Sequence, residues 1–137
     1  MTPEATPRVL VIDDERLYCQ AIADILVSRG YDAQMEHSAQ AGLQAIERYQ
    51  PHVVIADVMM PDMDGISLLR EALARCNGLR PGWVVCSAKV SAYDRANALE
   101  AGADAFLAKP FSLQDLMRTV TSVLAQRSPQ LALPLAG

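Results

Sequence analysis

The sequence predicts an α/β protein with a doubly wound, five-stranded parallel sheet, and three observations support this prediction. Five short apolar runs alternate strictly with longer segments of helical periodicity, so the chain repeats a strand–helix unit, (βα)5. Three of the runs are continuously apolar, as strands buried on both faces should be. The second run alternates polar and apolar residues and belongs at an edge. With right-handed crossovers, this pattern favours the strand order 2-1-3-4-5.

The predicted strands are short and evenly spread along the chain. In order they are RVLVI (8–12), DAQME (32–36), HVVIA (52–56), WVVCS (83–87) and AFLA (105–108). The first, third and fourth contain the continuous apolar runs. In the second, Ala33 and Met35 alternate with polar residues, which is the pattern of a strand with one face exposed.

The first two predicted helices follow these strands closely. The first has an apolar face made of Leu17, Ala21, Ile22, Ile25 and Leu26, and Gly30 ends it. The second runs from a Ser38 cap to about Arg48.

The last three predicted helices have recognisable starts. The third, ISLLREALARC, follows the turn PDMDG and ends near Asn77-Gly78, with Asp62 and Asp64 interpreted as its turn and cap residues. The fourth ends at Gly102. The fourth and fifth each open with the capping-box pattern, which pairs Ser91 with Asp94 and Ser112 with Asp115.

Length and composition indicate one globular domain. We assign residues 1–7 to a flexible tail, 8–127 to the domain, and 128–137 to a second tail or the start of a linker, within 137 residues. A net charge of −4 and a pI near 5.0 argue against nonspecific nucleic-acid binding. MTPEATPR lacks the apolar stretch of a signal peptide, and no apolar run is long enough to span a membrane.

The cysteines indicate a reducing compartment. Cys19, Cys76 and Cys86 are odd in number, far apart and not at metal-ligand spacing. We therefore expect free thiols in a cytoplasmic protein, without a disulfide framework or a zinc site.

Polar residues follow the central strands. In a doubly wound sheet, ligands bind outside the carboxyl ends of the strands. Asp13, Asp14 and Glu15 follow the first strand, Asp57 the third, Ser87 ends the fourth, and Lys109-Pro110 follows the fifth. Each residue alone could be a helix cap or a solvated side chain. Asp57 resists that explanation, because Val-Met-Met-Pro follows it and no helix starts there.

The charges of this set indicate a metal and a phosphoryl group. Carboxylates about 4 Å apart repel by about 4 kcal/mol at an effective dielectric near 20, so Asp13, Asp14 and Asp57 need a cation. Hard oxygen ligands suit Mg²⁺. With Lys109 and Mg²⁺, the three carboxylates sum to about zero, leaving a site that can receive a phosphoryl group. Asp57, isolated at the end of the middle strand, is the predicted nucleophile.

Four segments, VLVIDDE, DVMMPDMDG, VVCSAK and GADAFLAKPF, are similar to the signature segments of bacterial two-component response-regulator receiver domains, the CheY-like superfamily with a flavodoxin-like fold. The resemblance covers about residues 8–126. It implies that Asp57 accepts a phosphoryl group from a sensor histidine kinase or a phosphotransfer protein. It also implies that Asp14 binds Mg²⁺ (Mn²⁺ is possible) directly, that Asp13 binds it largely through water, and that Asp57 and the backbone carbonyl of Met59 are further ligands.

The same resemblance assigns the remaining site residues. Lys109, Ser87 and Ala88 would bind phosphate oxygens, Ser87 and Phe106 would act as the switch pair, and the Lys109-Pro110 bond would be cis. The helix 4–strand 5–helix 5 face would then signal to a partner or an output domain. We expect no enzyme activity beyond the chain's own phosphorylation and dephosphorylation, no direct nucleic-acid or membrane contact, and a monomer or weak dimer.

Several positions depart from the family pattern. Ser87 replaces a common threonine and keeps the hydroxyl, whereas Phe106 replaces a common tyrosine and cannot donate a hydrogen bond. Met59 and Lys89 stand where the family tunes dephosphorylation, and the apolar Met59 suggests a long-lived phosphate. Ala105 and Thr119 replace charged residues of a dimer interface found in some relatives. The alternative function is an interaction module that does not depend on phosphorylation.

Overall fold

The five strands of the computed structural model form one parallel sheet in the order β2-β1-β3-β4-β5, which confirms the predicted topology. The structure describes residues 6–76, 80–88 and 91–131. The strands are β1 (Arg8–Ile12), β2 (Asp32–Glu36), β3 (Val53–Asp57), β4 (Gly82–Ser87) and β5 (Ala105–Ala108). The third therefore ends on Asp57 itself, one residue later than predicted.

Helices cover both faces of the sheet. They are α1 (Arg16–Ser28), α2 (Ala39–Tyr49), α3 (Gly65–Arg75), α4 (Ala92–Ala101) and α5 (Leu113–Arg127), followed by a 3₁₀ turn at Pro129–Leu131. One core lies between the sheet and α2, α3 and α4, and includes the fully buried Trp83. The other core lies between the sheet and α1 and α5. Alternate residues of β1, β3 and β4 point into each core, which explains why these strands are apolar throughout.

The predicted serine caps are present. Ser38, Ser91 and Ser112 each accept a hydrogen bond from the backbone N–H three residues later, and Gly102 ends α4 with a φ of 116°. Asp64 caps α3 by accepting from the N–H groups of Ile66 and Ser67. The α3 helix ends at Arg75, and Asn77-Gly78, where its end was predicted, lie outside the described residues.

Asp62 lies in the turn before α3, as predicted, but its side chain has a further role that was not predicted. Its carboxylate accepts hydrogen bonds from the backbone N–H groups of Ala39 (3.1 Å) and Gln40 (3.0 Å), so it caps α2 and not α3. The loop after β3 carries Asp62 across to the start of α2, where the helix dipole favours a negative charge. These bonds lower the pKa of the Asp62 carboxyl, with the one from Gln40 contributing most.

The predicted apolar face of α1 was wrong in part. Ile22 and Leu26 are buried, but Leu17 is 88% exposed and Ala21 is also exposed. The buried stripe consists of Cys19, Ile22, Ala23 and Leu26. Both stripes have helical spacing, and only packing against the sheet chooses between them.

A buried ion cluster ties β5 to β4 and α5. Asp104, whose side chain is 3% exposed, accepts from Arg80 (2.6 Å), from Arg127 (2.6 and 3.0 Å) and from the backbone N–H of Trp83 (2.8 Å). The Asp104 carboxylate is thus paired and hydrogen-bonded on both oxygens, and a buried charge is tolerated only when it is paired in this way.

The ends of the chain lie partly in the described region. Pro7 is buried, and its carbonyl accepts from the N–H of Asp32 at 2.9 Å. Leu131 packs against the core on the α1–α5 side. The rest of the two predicted tails, residues 1–5 and 132–137, lies outside the described residues. Among the helices that the structure describes, none combines the length and the apolar character needed to cross a membrane.

Candidate functional site

Three carboxylates meet at the carboxyl end of the two central strands. Asp13 directly follows β1 and Asp57 ends β3, and these strands are neighbours with Ile12 opposite Ala56. Oxygens of Asp13, Asp14 and Asp57 all lie within 4.8 Å of one another. Asp13 (2% exposed) and Asp57 (4%) are buried, whereas Asp14 is exposed. The structure therefore brings together the acidic residues that the sequence predicted as metal ligands.

Lys109 reaches this group from β5. Its Nζ lies 2.8 Å from an Asp13 carboxylate oxygen, 3.3 Å from Asp57 and 3.4 Å from Glu15. Its backbone N–H donates to the carbonyl of Ser87 at 2.8 Å, which fixes its position beside the end of β4. The Lys109-Pro110 peptide bond is cis. One buried ammonium thus bridges two buried carboxylates.

The protonation of the site reflects both burial and charge. Burial raises the pKa of the Asp57 carboxyl, and Asp13 adds to this, while Lys109 opposes it. Burial would lower the pKa of Lys109, but its hydrogen bond to Asp13 and the charges of the neighbouring acids outweigh burial and raise that pKa. Lys109 is therefore charged at neutral pH. With one ammonium against three carboxylates, the site can accept further positive charge.

The donor set fits Mg²⁺. All the side-chain ligands available are carboxylate oxygens, which Mg²⁺ prefers. Magnesium binds oxygen at about 2.1 Å, so two ligands on opposite sides of the ion are about 4.2 Å apart. The carboxylate oxygens, within 4.8 Å of one another, need only small movements to reach that spacing. Asp14, which is exposed, leaves an open side for water and phosphate oxygens.

The loop after β3 is shaped by close backbone contacts. Asp57 Oδ1 accepts from the backbone N–H of Met59 at 3.3 Å, and the N–H of Gly65 donates to the carbonyl of Val58 at 2.8 Å. A methyl group at Gly65 would collide with the carbonyl oxygen of Asp57 and the Cα of Val58, so only glycine fits there. Met60 is buried, whereas the Met59 side chain is 54% exposed. The segment Val-Met-Met-Pro (58–61) therefore belongs to a short, tightly packed loop that connects the end of β3 to the start of α3.

The predicted switch residues lie on β4 and β5, the two strands that follow β3 in the sheet. Ser87 ends β4 and is buried, and the next residue, Ala88, is exposed. Phe106 on β5 is half-buried and packs against the α2–α3–α4 core. The guanidinium of Arg95, on α4, lies 5.1 Å from the centre of the Phe106 ring, a cation–π distance. Lys89 lies outside the described residues.

The contact between the aromatic ring of Tyr18 and the Lys109 ammonium was not predicted from the sequence. The Lys109 Nζ lies 4.5 Å from the centre of the Tyr18 ring, and this ring packs edge-on against Phe111 with centroids 5.6 Å apart. Tyr18 lies in the first turn of α1 and Phe111 two residues after Lys109, so proximity to site residues was the only signal in the sequence. The Tyr18 ring thus contacts the ammonium, and Phe111 packs against that ring.

Over most of its length the chain is similar to proteins of one family. The family described as "Response regulator receiver domain" matches residues 9–121. Response regulator MprA of Mycobacterium avium is 32% identical over 123 residues, which are 90% of this chain and 53% of that protein. MprA of Mycobacterium sp. strain KMS is 34% identical over 122 residues, 89% of this chain and 52% of that protein. The chain thus spans about half the length of these curated relatives.

Solved structures show the same similarity. A CheY-like response regulator receiver domain protein from Methanospirillum hungatei superposes with a TM-score of 0.84 at 27% identity, covering 91% of this chain and 98% of that one. The receiver domain of the Francisella response regulator 1452 gives 0.81 at 30% identity, covering 88% and 98%.

Proposed function

The chain belongs to the response regulator receiver domain family, and from this premise we propose that Asp57 accepts a phosphoryl group in a Mg²⁺-dependent reaction. Phosphorylation on an aspartate is the standard chemistry of this family, so the open point is which carboxylate carries it. The observation that favours Asp57 is its position: it is 4% exposed, ends a central strand, and lies 3.3 Å from the Lys109 ammonium.

The residues around Asp57 suit an attack on phosphorus. Burial strips water from the Asp57 carboxylate, which makes it more reactive, while Lys109 opposes the rise in its pKa that burial causes. In the transfer, an Asp57 oxygen forms a bond to phosphorus as the bond from phosphorus to the donor's imidazole nitrogen breaks. Lys109 would then hold one phosphate oxygen, and Ser87 and the backbone at Ala88 would bind others.

Asp13, Asp14, Asp57 and the Met59 carbonyl would hold Mg²⁺, or Mn²⁺ in its place. The ion would supply positive charge opposite the phosphoryl oxygens. Asp13 is engaged by Lys109 at 2.8 Å, which supports a mainly water-mediated contact, whereas the exposed Asp14 is free to approach the ion directly.

Phosphate on Asp57 would be transmitted through Ser87 and Phe106. Ser87 would move toward the phosphate, and Phe106 would turn into the space behind it. The surface that changes would be the α4–β5–α5 face, where Tyr93 is 74% exposed and Leu99 is 49% exposed. We expect an effector protein or a fused output domain to bind this face, and a sensor histidine kinase or phosphotransfer protein to supply the phosphoryl group.

The receiver unit would span residues 8–127, act in the cytoplasm as a monomer or weak dimer, and contact proteins and not nucleic acid directly. It would catalyse only its own phosphorylation and dephosphorylation. Met59 supports slow dephosphorylation, because its exposed apolar side chain has no group to position an attacking water. A decay half-life of seconds in Mg²⁺ buffer would contradict that part.

The experiment that tests the acceptor is to locate the phosphate. The phosphorylated chain is reduced with borohydride, which converts an acyl phosphate of aspartate to homoserine, and is then sequenced by tandem mass spectrometry. We expect homoserine at position 57 alone. Homoserine at Asp13 or Asp14 would refute the assignment, and no homoserine in a phosphorylated sample would point to a different kind of acceptor.

A further inference from the structure

A cavity of about 400 Å³ opens at the amino end of the strands, the end of the sheet opposite the acidic site. It is bounded by Arg8 at the start of β1, by Pro51 and His52 before β3, and by Pro81 before β4. The carboxyl-terminal ends of α2 and α3 form the other sides. None of these residues has a part in the proposed phosphoryl chemistry.

Part of the cavity wall is apolar. Leu43 and Ile46 of α2 and Ala72 of α3 line it together with the two prolines. Leu43 and Ala72 belong to the buried core, so this wall is rigid. The volume lies in the range of small-molecule sites, which combine such walls with a few polar groups.

The lining also includes three cationic side chains. Arg8, Arg75 and Arg80 line the cavity against one acid, Glu47, in a chain whose net charge is −4. The Arg8 guanidinium donates to the carbonyls of Tyr49 and Gln50 and makes no ion pair with an acid in the described part of the chain. Its charge is therefore not neutralised by a carboxylate.

Arg75 is the arginine most accessible to a ligand. Its side chain is 44% exposed and pairs with Glu71 at 2.9 Å and Glu47 at 3.6 Å, both of which are exposed themselves. Such surface pairs contribute little net stability, so a carboxylate in the cavity could exchange with them at small cost. Arg80 differs, because its charge is used by the buried Asp104.

His52 supplies a further donor. Its Nδ1 accepts a hydrogen bond from the backbone N–H of Arg8 at 2.9 Å, so in the neutral ring the proton is on Nε2. Within the described residues Nε2 has no partner. Burial lowers the pKa of His52 and the Arg8 charge lowers it further, so the ring is neutral at pH 7 with an N–H available to an acceptor.

We propose that this cavity binds a small organic anion, specifically a carboxylate attached to a compact apolar body. The carboxylate would lie against Arg75, Arg8 and His52, and the apolar part against Leu43 and Ile46. This site is independent of the acidic site at the other end of the sheet.

The test uses 3-phenylpropionate as the probe, in NMR titrations of the ¹⁵N-labelled chain at low salt. Its neutral amide, 3-phenylpropionamide, keeps the shape without the charge, and inorganic phosphate keeps a charge without the apolar part. We expect saturable shifts of backbone signals around the cavity, with a millimolar Kd that is about fivefold or more weaker for the amide and for phosphate. Arg75→Gln should weaken binding about threefold or more. Arg70→Gln, an exposed arginine of α3 outside the cavity lining, should leave Kd unchanged.

Three results of the titrations with the unmodified chain would overturn the proposal. They are the absence of saturable shifts up to about 20 mM probe, equal affinities for the acid and its amide, and shifts confined to residues around Lys109. An Arg75→Gln variant that is folded and binds as tightly as the unmodified chain would also contradict it.

Discussion

Replacing the buried acceptor carboxylate should stabilise the protein when no divalent ion is present. We predict that Asp57→Asn raises the free energy of unfolding by about 1–3 kcal/mol in EDTA at pH 7. The substitution keeps the shape of the side chain and removes one negative charge from a site that holds three carboxylates and one ammonium.

The magnitude follows from the distances. At an effective dielectric of 20, the Lys109 ammonium 3.3 Å away attracts the Asp57 charge by about 5 kcal/mol. Asp13, with an oxygen within 4.8 Å, repels it by at least about 3.5 kcal/mol. Asp14, with an oxygen within the same distance, adds further repulsion, so the surrounding charges do not offset the several kcal/mol needed to bury a carboxylate. The raised pKa of Asp57, caused first by burial, has the same sign.

The pH dependence provides a second check. A carboxyl whose pKa is higher in the folded state binds its proton more tightly there, so it is destabilising at pH values above its folded pKa. The penalty disappears below the unfolded value, about 3.9. The advantage of Asp57→Asn should therefore shrink as the pH falls from 7 toward 4.

The assay is urea unfolding of both proteins in EDTA and in Mg²⁺. Asp24→Asn, at an exposed position of α1, is the control and should change stability by less than about 0.5 kcal/mol. Mg²⁺ at about 100 times its Kd should stabilise the wild type by about 2.7 kcal/mol and the variant by less. An Asp57→Asn protein that is less stable than the wild type in EDTA at pH 7 would refute this reasoning.

Three further predictions concern other parts of the molecule. Asp104→Ala should cost about 3–5 kcal/mol in urea unfolding, because it leaves two half-buried arginines and the backbone N–H of Trp83 without their buried acid; a loss below about 1 kcal/mol would contradict this. Arg95→Ala removes a cation from the Phe106 ring and should speed phosphorylation by acetyl phosphate about two- to fivefold, and an unchanged rate would exclude a restraining role. Leu17→Ala removes an 88% exposed apolar side chain from the first turn of α1 and should slow transfer from a phosphorylated histidine domain about tenfold without changing the acetyl phosphate rate. Val27→Ala, at a 57% exposed position near the other end of α1, should change neither rate.

Features set by local spacing could be predicted from the sequence. The alternation in Asp32–Glu36 identified the edge strand, and the caps at Ser38, Ser91 and Ser112 depend only on residues three positions away. The acidic group was predictable for a related reason. In a parallel sheet, residues that follow neighbouring strands meet at one end, so strand order alone places Asp13 beside Asp57.

Features that depend on tertiary geometry could not be predicted. Asp62 caps a helix that starts 23 residues earlier, and Asp104 pairs with arginines 23 and 24 positions away. Tyr18 lies under the ammonium of Lys109 only because α1 and the β5–α5 connection pack together. Which of two apolar stripes of α1 faces the sheet was likewise decided by packing, and the sequence contains both.

The measurement that tests the central claim most directly is the intact mass of the chain after incubation with acetyl phosphate, with and without Mg²⁺, beside Asp57→Asn. We predict a gain of a single phosphoryl group that requires both Mg²⁺ and Asp57. A gain in Asp57→Asn equal to that of the wild type would contradict the claim. So would a folded, Mg²⁺-binding wild type that gains no phosphate from acetyl phosphate or from any phosphorylated histidine domain, and that result would favour an interaction module independent of phosphorylation.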